Sequence, residues 1–389
     1  MIVERPFLEH RVTASIDAGR IPVLLGGCGS GRTSLLLRLE HALGPDRSQY
    51  LDIAAAATTP ERCLSAVRAS SRLQPPAGPT QAATSTRDAF GLLLDFLDRA
   101  NTPAGPPTFL LDEFLDVRTF ESFPGLRHVQ RDVVARLAVS PSRFVLASRF
   151  TSRVHRLLRD APARFEVVHM PPLAAAEVQS MAHLFIGGRR DWAADIAPAV
   201  TALVAGTPAA AHVLLAGLGA MGPATDPVAA LAAAIAPDGP LTAHCRASYE
   251  LRLHRARGYG ALKAILGVLA ETEPLNLTEI SHRLQRTPGS TKDYLSWLED
   301  VDLITMRGKR YAFTDPLLRL YVRLYGRPVP PNDSEIVREV GAYARTRLLT
   351  PAAVPAMAAE PIPATTANTT QGRADIAEPA SRSGIIEID

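Results

Sequence analysis

Residues 21–27 read IPVLLGG, five apolar positions that stop on glycine. An unbroken run of that length is the signature of a short strand buried on both faces. Residues 33–43 (TSLLLRLEHAL) follow with apolar positions at helical spacing. The same alternation recurs downstream. Residues 50–53 form a second short strand candidate, and residues 88–100 (DAFGLLLDFLDRA) an amphipathic helix. The breaker NTPAGPP leads into a buried strand over 108–112 (TFLLD) that ends on an acid. A helix over 131–139 and strands over 143–148 (RFVLAS) and 165–170 complete the series, while 54–86, rich in Ala, Thr and Pro, gives no clear assignment. Short apolar runs alternating with helical patterns predict a parallel α/β sheet.

After Pro171-Pro172 the pattern changes. Residues 173–236 are alanine-rich and helical throughout, broken only at 206–208 and 222–227, and 245–325 carry more charge on a largely helical pattern. Residues 351–389, rich in Pro, Ala and Thr, lack periodicity and predict a disordered tail. No internal repeat is visible.

Composition narrows the classes. Of 389 residues 47% are hydrophobic, enough for a sizeable core over most of the length. No apolar run reaches the ~18 residues a membrane span needs, and the N-terminus MIVERPFLEHR has no secretory apolar region. Three widely spaced cysteines, Cys28, Cys63 and Cys245, exclude a disulfide scaffold or a cysteine-rich zinc site and fit a reducing cytoplasm. The net charge of +3 is too mild to specify a nucleic-acid partner. Of 42 basic residues only Lys263, Lys292 and Lys309 are lysines, so a lone arginine carries little information.

The strongest chemical signal is Gly26-Gly27-Cys28-Gly29-Ser30-Gly31-Arg32-Thr33, followed by Ser34, between the first strand and the first helix of the alternating series. Glycines let backbone N–H groups curl around phosphate oxygens, and the helix start aims its positive dipole end at the same anion. Thr33 supplies a hydroxyl suited to Mg²⁺, while Arg32 stands where such loops usually carry lysine. A Gly-rich strand-to-helix turn without a ligand is the plainer alternative. The run Phe109-Leu110-Leu111-Asp112-Glu113 weighs against it. A strand delivers Asp112 to the sheet's carboxyl edge to hold Mg²⁺, with Glu113 placed to polarise water. Two acids merely ending a strand are the alternative there. Ser148, ending RFVLAS, either senses a γ-phosphate or caps its strand. Arg149 or Arg153 could reach a phosphate, but in a chain with 39 arginines both read more readily as surface charge.

These parts, in this order, resemble the AAA+/STAND P-loop ATPases, most closely the archaeal-type ATPase families. The resemblance spans about residues 1–330. It makes 26–33 a Walker A segment, 109–113 a Walker B segment with Glu113 as catalytic base, and Ser148 a sensor. Gly206-Thr207-Pro208 resembles the G-x-P of the STAND lid, whose proline packs near adenine. Residues 259–313 resemble a winged helix, with helices over 259–270, 277–284 (Thr278 as N-cap) and 290–300, and a wing over 303–313 turning at Arg307-Gly308-Lys309. The run Asp315-Pro316-Leu317-Leu318-Arg319-Leu320-Tyr321 resembles the helix that follows it in these families.

The implied organisation is a P-loop α/β domain (1–170), a helical lid (171–240), a winged-helix domain (241–330) and an extension with tail (331–389). The implied ligands are ATP and Mg²⁺. Residues 241–330 hold 14 Lys/Arg against 9 Asp/Glu. Arg307, Lys309 and Arg310 on the wing suit phosphate contact, and Lys292 lies on the third helix. The acids beside it, Asp293, Glu299 and Asp300, argue against base reading. DNA, a protein partner or self-association all remain open as outputs. Three functions stay in contention: an ATP-hydrolysing switch, a non-catalytic nucleotide-sensing transcription regulator, and a pseudo-ATPase scaffold that binds neither nucleotide nor DNA.

Overall fold

The computed structural model describes residues 4–71, 73, 83–103, 105–186, 190–222, 225–253 and 258–349. The expected tail over 351–389 lies outside them, as does part of the 54–86 segment.

Five strands form one parallel sheet: β1 (Ile21–Leu25), β2 (Ser48–Asp52), β3 (Thr108–Asp112), β4 (Arg143–Ser148) and β5 (Phe165–His169). Their order is β2-β3-β4-β1-β5. Strand alternation gives the sheet two apolar faces. Leu24, Leu110, Val145 and Val168 face Leu8, Val12 and Ile16 of helix Pro6–Asp17 and Leu35, Leu36 and Leu39 of helix Arg32–Leu43. Val23, Leu25, Phe109, Leu111, Phe144 and Leu146 belong to the other, larger core, shared with Phe90, Leu93 and Phe96 of helix Thr86–Arg99. Phe109 stacks on Phe144 at 5.8 Å and meets Phe96 edge-on at 6.0 Å. Because all strands run one way, the ends of β1, β3 and β4 meet at one edge, with β4 between the other two.

Five helical pieces in this half are not legible in the apolar pattern: Pro6–Asp17, Ile53–Ala56, Pro60–Ser70, the 3₁₀ segment Phe114–Ser122 directly after β3, and Thr151–Leu157 after β4. Beyond β5, helices Ala175–Ile186, Arg190–Leu203, Pro208–Met221 and Pro227–Ala234 pack as an alanine-rich cap, and Pro240–Leu253 leads out of it. Gly206, at φ +65°, makes the sharp entry into Pro208–Met221, and its carbonyl accepts the Leu173 amide at 2.7 Å. A Cβ there would lie 2.7 Å from both the Leu173 oxygen and the Pro172 Cβ, so only glycine fits without a backbone shift.

Helices Tyr259–Glu271, Leu277–Arg283 and Pro288–Asp300 follow, with a three-stranded antiparallel sheet of β6 (Leu275–Asn276), β7 (Ile304–Arg307) and β8 (Arg310–Phe313) in the order β6-β8-β7. The turn joining β7 to β8 places Gly308 and Lys309 at φ +56° and +63°, as a twisted two-residue hairpin requires. The expected Thr278 cap is corrected. Asn276 caps the helix, accepting the Glu279 amide at 2.9 Å while the Glu279 carboxylate takes the Asn276 amide at 2.7 Å. That reciprocal box satisfies two end donors at once, which a threonine inside the first turn cannot do.

Asp315 caps helix Pro316–Tyr325 through the Leu317 and Leu318 amides. The last described helix, Asp333–Leu349, turns back onto the cap. Ile336, Val340 and Ala344 are buried, Tyr343 donates to the Leu203 carbonyl at 2.6 Å, and Arg347 reaches Ala202.

Candidate functional site

The loop over 26–33 turns twice through left-handed glycine conformations, Gly29 at φ +76° and Gly31 at φ +88°, the latter capping helix Arg32–Leu43. The cradle is tight. A Cβ on Gly26 would sit 2.6 Å from Ser30 Oγ, and one on Gly29 would sit 2.8 Å from the Ala209 Cβ. The Ala209 amide donates to the Gly29 carbonyl at 3.1 Å, so the start of Pro208–Met221 rests on the loop. Pro208 opens that helix, where its missing N–H leaves no unmet bond. Ser30 Oγ is buried with no partner, an orphaned donor within the glycine loop. Such a group fits a phosphate oxygen.

Two cavities flank the loop. One, of about 280 Å³, includes Ser30–Ser34, with Arg5 and Glu9 on one wall and Phe185, Pro208 and His212 on the other. Phe185 meets His212 edge-on at 4.8 Å. The second, of about 490 Å³, is bounded by Gly26, Gly27, Cys28, Arg149 and Arg252 and closed by residues of the C-terminal part such as Asp302.

At the end of β3 the acids are fully engaged. Asp112 Oδ2 accepts Thr33 Oγ1 at 2.6 Å and the Tyr50 hydroxyl at 3.1 Å, while its Oδ1 accepts the Glu113 amide at 3.0 Å. Burial and the Asp112 carboxylate push the Tyr50 phenol well above its usual range, so it remains a donor. Glu113 stands at φ +50°, a left-handed conformation that costs a non-glycine residue. That turn sets its carboxylate between two guanidiniums. Oε1 accepts Arg32 Nη2 at 2.6 Å, and Oε2 accepts the Arg149 amide at 3.0 Å and pairs with Arg149 Nε at 3.1 Å. Burial raises the Glu113 carboxyl above the ordinary value, and Arg32 and Arg149 pull against that rise.

Arg32 also donates to the Gly27 carbonyl at 3.0 Å. It is therefore turned toward the end of β3 and the inside of the loop. Arg149 continues to Asp116 at 3.0 Å and is only 8% exposed, which corrects its reading as surface charge. Burial disfavours its charge, but Glu113 and Asp116 hold its pKa above the usual arginine value. Arg153 lies over the Phe150 ring at 4.8 Å, and burial lowers its pKa. Ser148 is buried beside them, its hydroxyl accepting the Phe150 amide at 3.1 Å in a local cap.

Sequence reasoning thus collected the loop, Thr33, Asp112 and Glu113. It missed Tyr50 and Arg252, and it discounted Arg149. Tyr50 lies two residues before Asp52, the register partner of Asp112. Only knowledge that β2 neighbours β3 could have found it.

The wing residues lie elsewhere. Lys292, Arg307 and Lys309 are exposed, while Arg310 pairs with Glu279 at 3.5 Å and donates to the Pro274 carbonyl at 3.0 Å. The C-terminal end of helix Pro288–Asp300 docks on the sheet half. Asp300 pairs with Arg156, and Asp302 accepts the Ser152 hydroxyl at 2.7 Å. Burial raises the Asp302 carboxyl above its usual range, with the Ser152 bonds opposing.

No helix among the described residues is long and apolar enough to cross a membrane. No protein-family model and no curated relative matches the chain. Solved structures do. The Walker-type ATPase PABY2304 of Pyrococcus abyssi superposes with a TM-score of 0.60 at 15% identity, over 83% of this chain and 96% of its own. The Orc1 protein of Aeropyrum pernix, solved in complex with DNA, gives 0.44 at 15% identity over 90% and 95%. A STAND protein of Pyrococcus horikoshii with a tetratricopeptide-repeat sensor gives 0.34 at 15% identity, over 90% of this chain and 45% of its own. The five-stranded sheet, the glycine loop after β1 and the superposition on the Walker-type ATPase together make this chain's fold that of a P-loop NTPase.

Proposed function

We propose that this protein is an ATP-binding switch of the AAA+/STAND type, in which nucleotide occupancy at the sheet edge controls the docking of a C-terminal winged helix. The observation that carries the reading is the 2.6 Å bond from Thr33 Oγ1 to Asp112 Oδ2. It joins the first turn after the glycine loop to the end of β3, the two places from which a P-loop enzyme holds its metal. Thr33 and Asp112 would hold Mg²⁺, which neutralises charge on the β- and γ-phosphate oxygens. The amides of residues 27–33 and the orphaned Ser30 hydroxyl would take the phosphates, and the cavity beside Phe185, Pro208 and His212 the base.

Glu113 is the group positioned to take a proton from water. Both its oxygens are engaged, by Arg32 and by Arg149. That clamp favours a second reading, a nucleotide sensor with little turnover, over an ordinary hydrolase. The two readings join if phosphate draws Arg32 off Glu113 and so frees an oxygen for water. The docking contacts Asp300–Arg156 and Asp302–Ser152 are the bonds such a switch would release. Release presents the unit carrying Lys292, Arg307 and Lys309 to DNA, to a protein partner or to a second copy.

Calorimetry of ATP–Mg²⁺ binding paired with steady-state phosphate release tests this. Binding with ordinary turnover supports the hydrolase, and binding with negligible turnover supports the sensor. Absence of binding removes both and leaves the scaffold.

A further inference from the structure

Helix Asp333–Leu349 lies beyond β8 and helix Pro316–Tyr325 and contributes no residue to the cavities beside the glycine loop. Its last turns nevertheless reach the cap. Tyr343 donates its hydroxyl to the Leu203 carbonyl at 2.6 Å, and Arg347 Nε donates to the Ala202 carbonyl at 3.0 Å. Both acceptors belong to the last turn of helix Arg190–Leu203, where carbonyls lack intrahelical partners. Burial pushes the Tyr343 phenol well above its usual range, so it stays a donor. The helix that carries both donors is itself anchored. Ile336, Val340 and Ala344 are buried, and at its start Asn332 Oδ1 accepts the Glu335 amide at 2.9 Å while the Glu335 carboxylate accepts the Asn332 amide at 3.0 Å.

The two acceptors stand directly before a strained turn. Ala205 lies at φ +49° and Gly206 at φ +65°, two left-handed residues in succession, the first of which carries a side chain. Such a conformation persists only where its surroundings hold it. The Leu173 amide holds this turn at the Gly206 carbonyl, and Tyr343 and Arg347 hold it at the carbonyls of 203 and 202. The turn in turn aims the next helix, whose Ala209 amide donates to the Gly29 carbonyl of the glycine loop at 3.1 Å. Ala205, Gly206 and Thr207 also line the cavity that contains Gly26, Gly27 and Cys28. A continuous chain of bonds and packed backbone thus runs from the last described helix to the loop.

We propose that Tyr343 and Arg347 are positioning residues of the nucleotide site, fixing the turn over 203–207 so that Pro208 and Ala209 seat on the glycine loop. The effect on nucleotide rests on the reading above; the seating of the cap on the loop does not. Removing either donor leaves a helix-end carbonyl without it and lets the turn relax. The seated form becomes a smaller fraction of the population, and apparent affinity falls with that fraction. Neither side chain lines a cavity beside the loop, so nucleotides with one or three phosphates are affected alike.

The test uses Tyr343→Phe and Arg347→Met, with Tyr325→Phe as control. Tyr325 makes the same kind of bond, to the Ile235 carbonyl at 2.6 Å after helix Pro227–Ala234, away from the turn. Hydrogen exchange of the Ala209 amide without nucleotide reads the seating, exchange over residues 109–111 of β3 reads global stability, and calorimetry gives affinities for ATP–Mg²⁺ and AMP. Expected in both variants are exchange at Ala209 about fivefold faster and affinities for ATP and AMP about fivefold weaker together, the lower end of coupling between sites. Exchange in β3 stays at the wild-type rate, Tyr325→Phe leaves Ala209 unchanged, and Arg347→Lys, which keeps a donor, recovers part of the loss. Unchanged exchange at Ala209, or equal acceleration in β3 or in Tyr325→Phe, would make the pair ordinary struts and overturn the proposal. Faster exchange with unchanged nucleotide affinity overturns it as well. If Arg347→Met fails to fold, Tyr343→Phe, which loses one oxygen, decides alone. A wild-type chain that binds no nucleotide overturns the nucleotide reading, and exchange at Ala209 then decides by itself whether the pair seats the cap.

Discussion

Replacing Glu113 by glutamine removes the charge that holds Arg32 and Arg149 at the end of β3. Two donors hydrogen-bond to this carboxylate, Arg32 Nη2 to Oε1 and the Arg149 amide to Oε2, and the Arg149 guanidinium pairs with Oε2 as a charge. An amide has one oxygen, so at least one donor then faces an NH₂ group, and both guanidiniums lose their counter-charge. Hydrogen bonds to charged groups contribute about 1.5–3 kcal/mol and neutral ones about 1 kcal/mol. Breaking a buried pair by altering one partner costs about 3–5 kcal/mol. The variant should therefore lose about 3 kcal/mol, which at roughly 2–4 °C per kcal/mol lowers Tm by about 6–12 °C. Nucleotide affinity should move the other way. In the wild type, phosphate must compete with Glu113 for Arg32, and in the variant that competition is weaker. A weakening of about 1.4 kcal/mol raises ATP affinity about tenfold. Turnover, if the wild type shows any, should vanish with the base. Differential scanning fluorimetry with and without ATP–Mg²⁺, calorimetry and phosphate release measure the three quantities. An unchanged Tm together with unchanged affinity would show that Arg32 does not rest on Glu113, and the gated-base argument would fall.

Asp112→Ala removes the acceptor of Thr33, Tyr50 and the Glu113 amide. It should abolish the Mg²⁺ dependence of ATP binding, read by titration with and without chelator. Of the three cysteines, Cys63 is buried and its thiol is pushed up to about 11 by burial, and burial also pushes Cys245 up, whereas Cys28 is partly exposed in the loop. Since the thiolate is the nucleophile, a thiol reagent at pH 8 should modify Cys28 first, and ATP–Mg²⁺ should slow it; equal rates with and without nucleotide would count against phosphate binding at the loop. Deleting residues from 333 onward should strip Ile336, Val340 and Tyr343 from the cap and destabilise it by several kcal/mol, at about 1.5–3 kcal/mol per buried large side chain. Denaturant unfolding of the shortened chain checks this.

The parallel α/β class is written in the local pattern, because strands buried on both faces must be continuous apolar runs, as in IPVLL and TFLLD. The loop is written there too, since glycines at 29 and 31 are needed for two successive positive-φ turns. Asp112 was legible for the same reason, being the first polar residue after a buried run. Signals without such a run were lost. The 3₁₀ segment Phe114–Ser122 and helix Thr151–Leu157 are too short for periodicity to register, and the Thr278 expectation failed because Asn276 with Glu279 forms a better box. Which charges face one another follows from the three-dimensional packing alone. In a chain with 39 arginines against three lysines, residue type could not separate Arg32, Arg149 and Arg252 from the rest. Their standing comes from burial and from partners up to 81 residues away in the chain, as with Arg32 and Glu113. Strand order made those meetings, since β4 lies between β1 and β3 and carries Arg149 to the gap that their ends enclose. Charge pairing acts through space over a few ångströms, and nothing in a local pattern encodes which distant carboxylate will stand there.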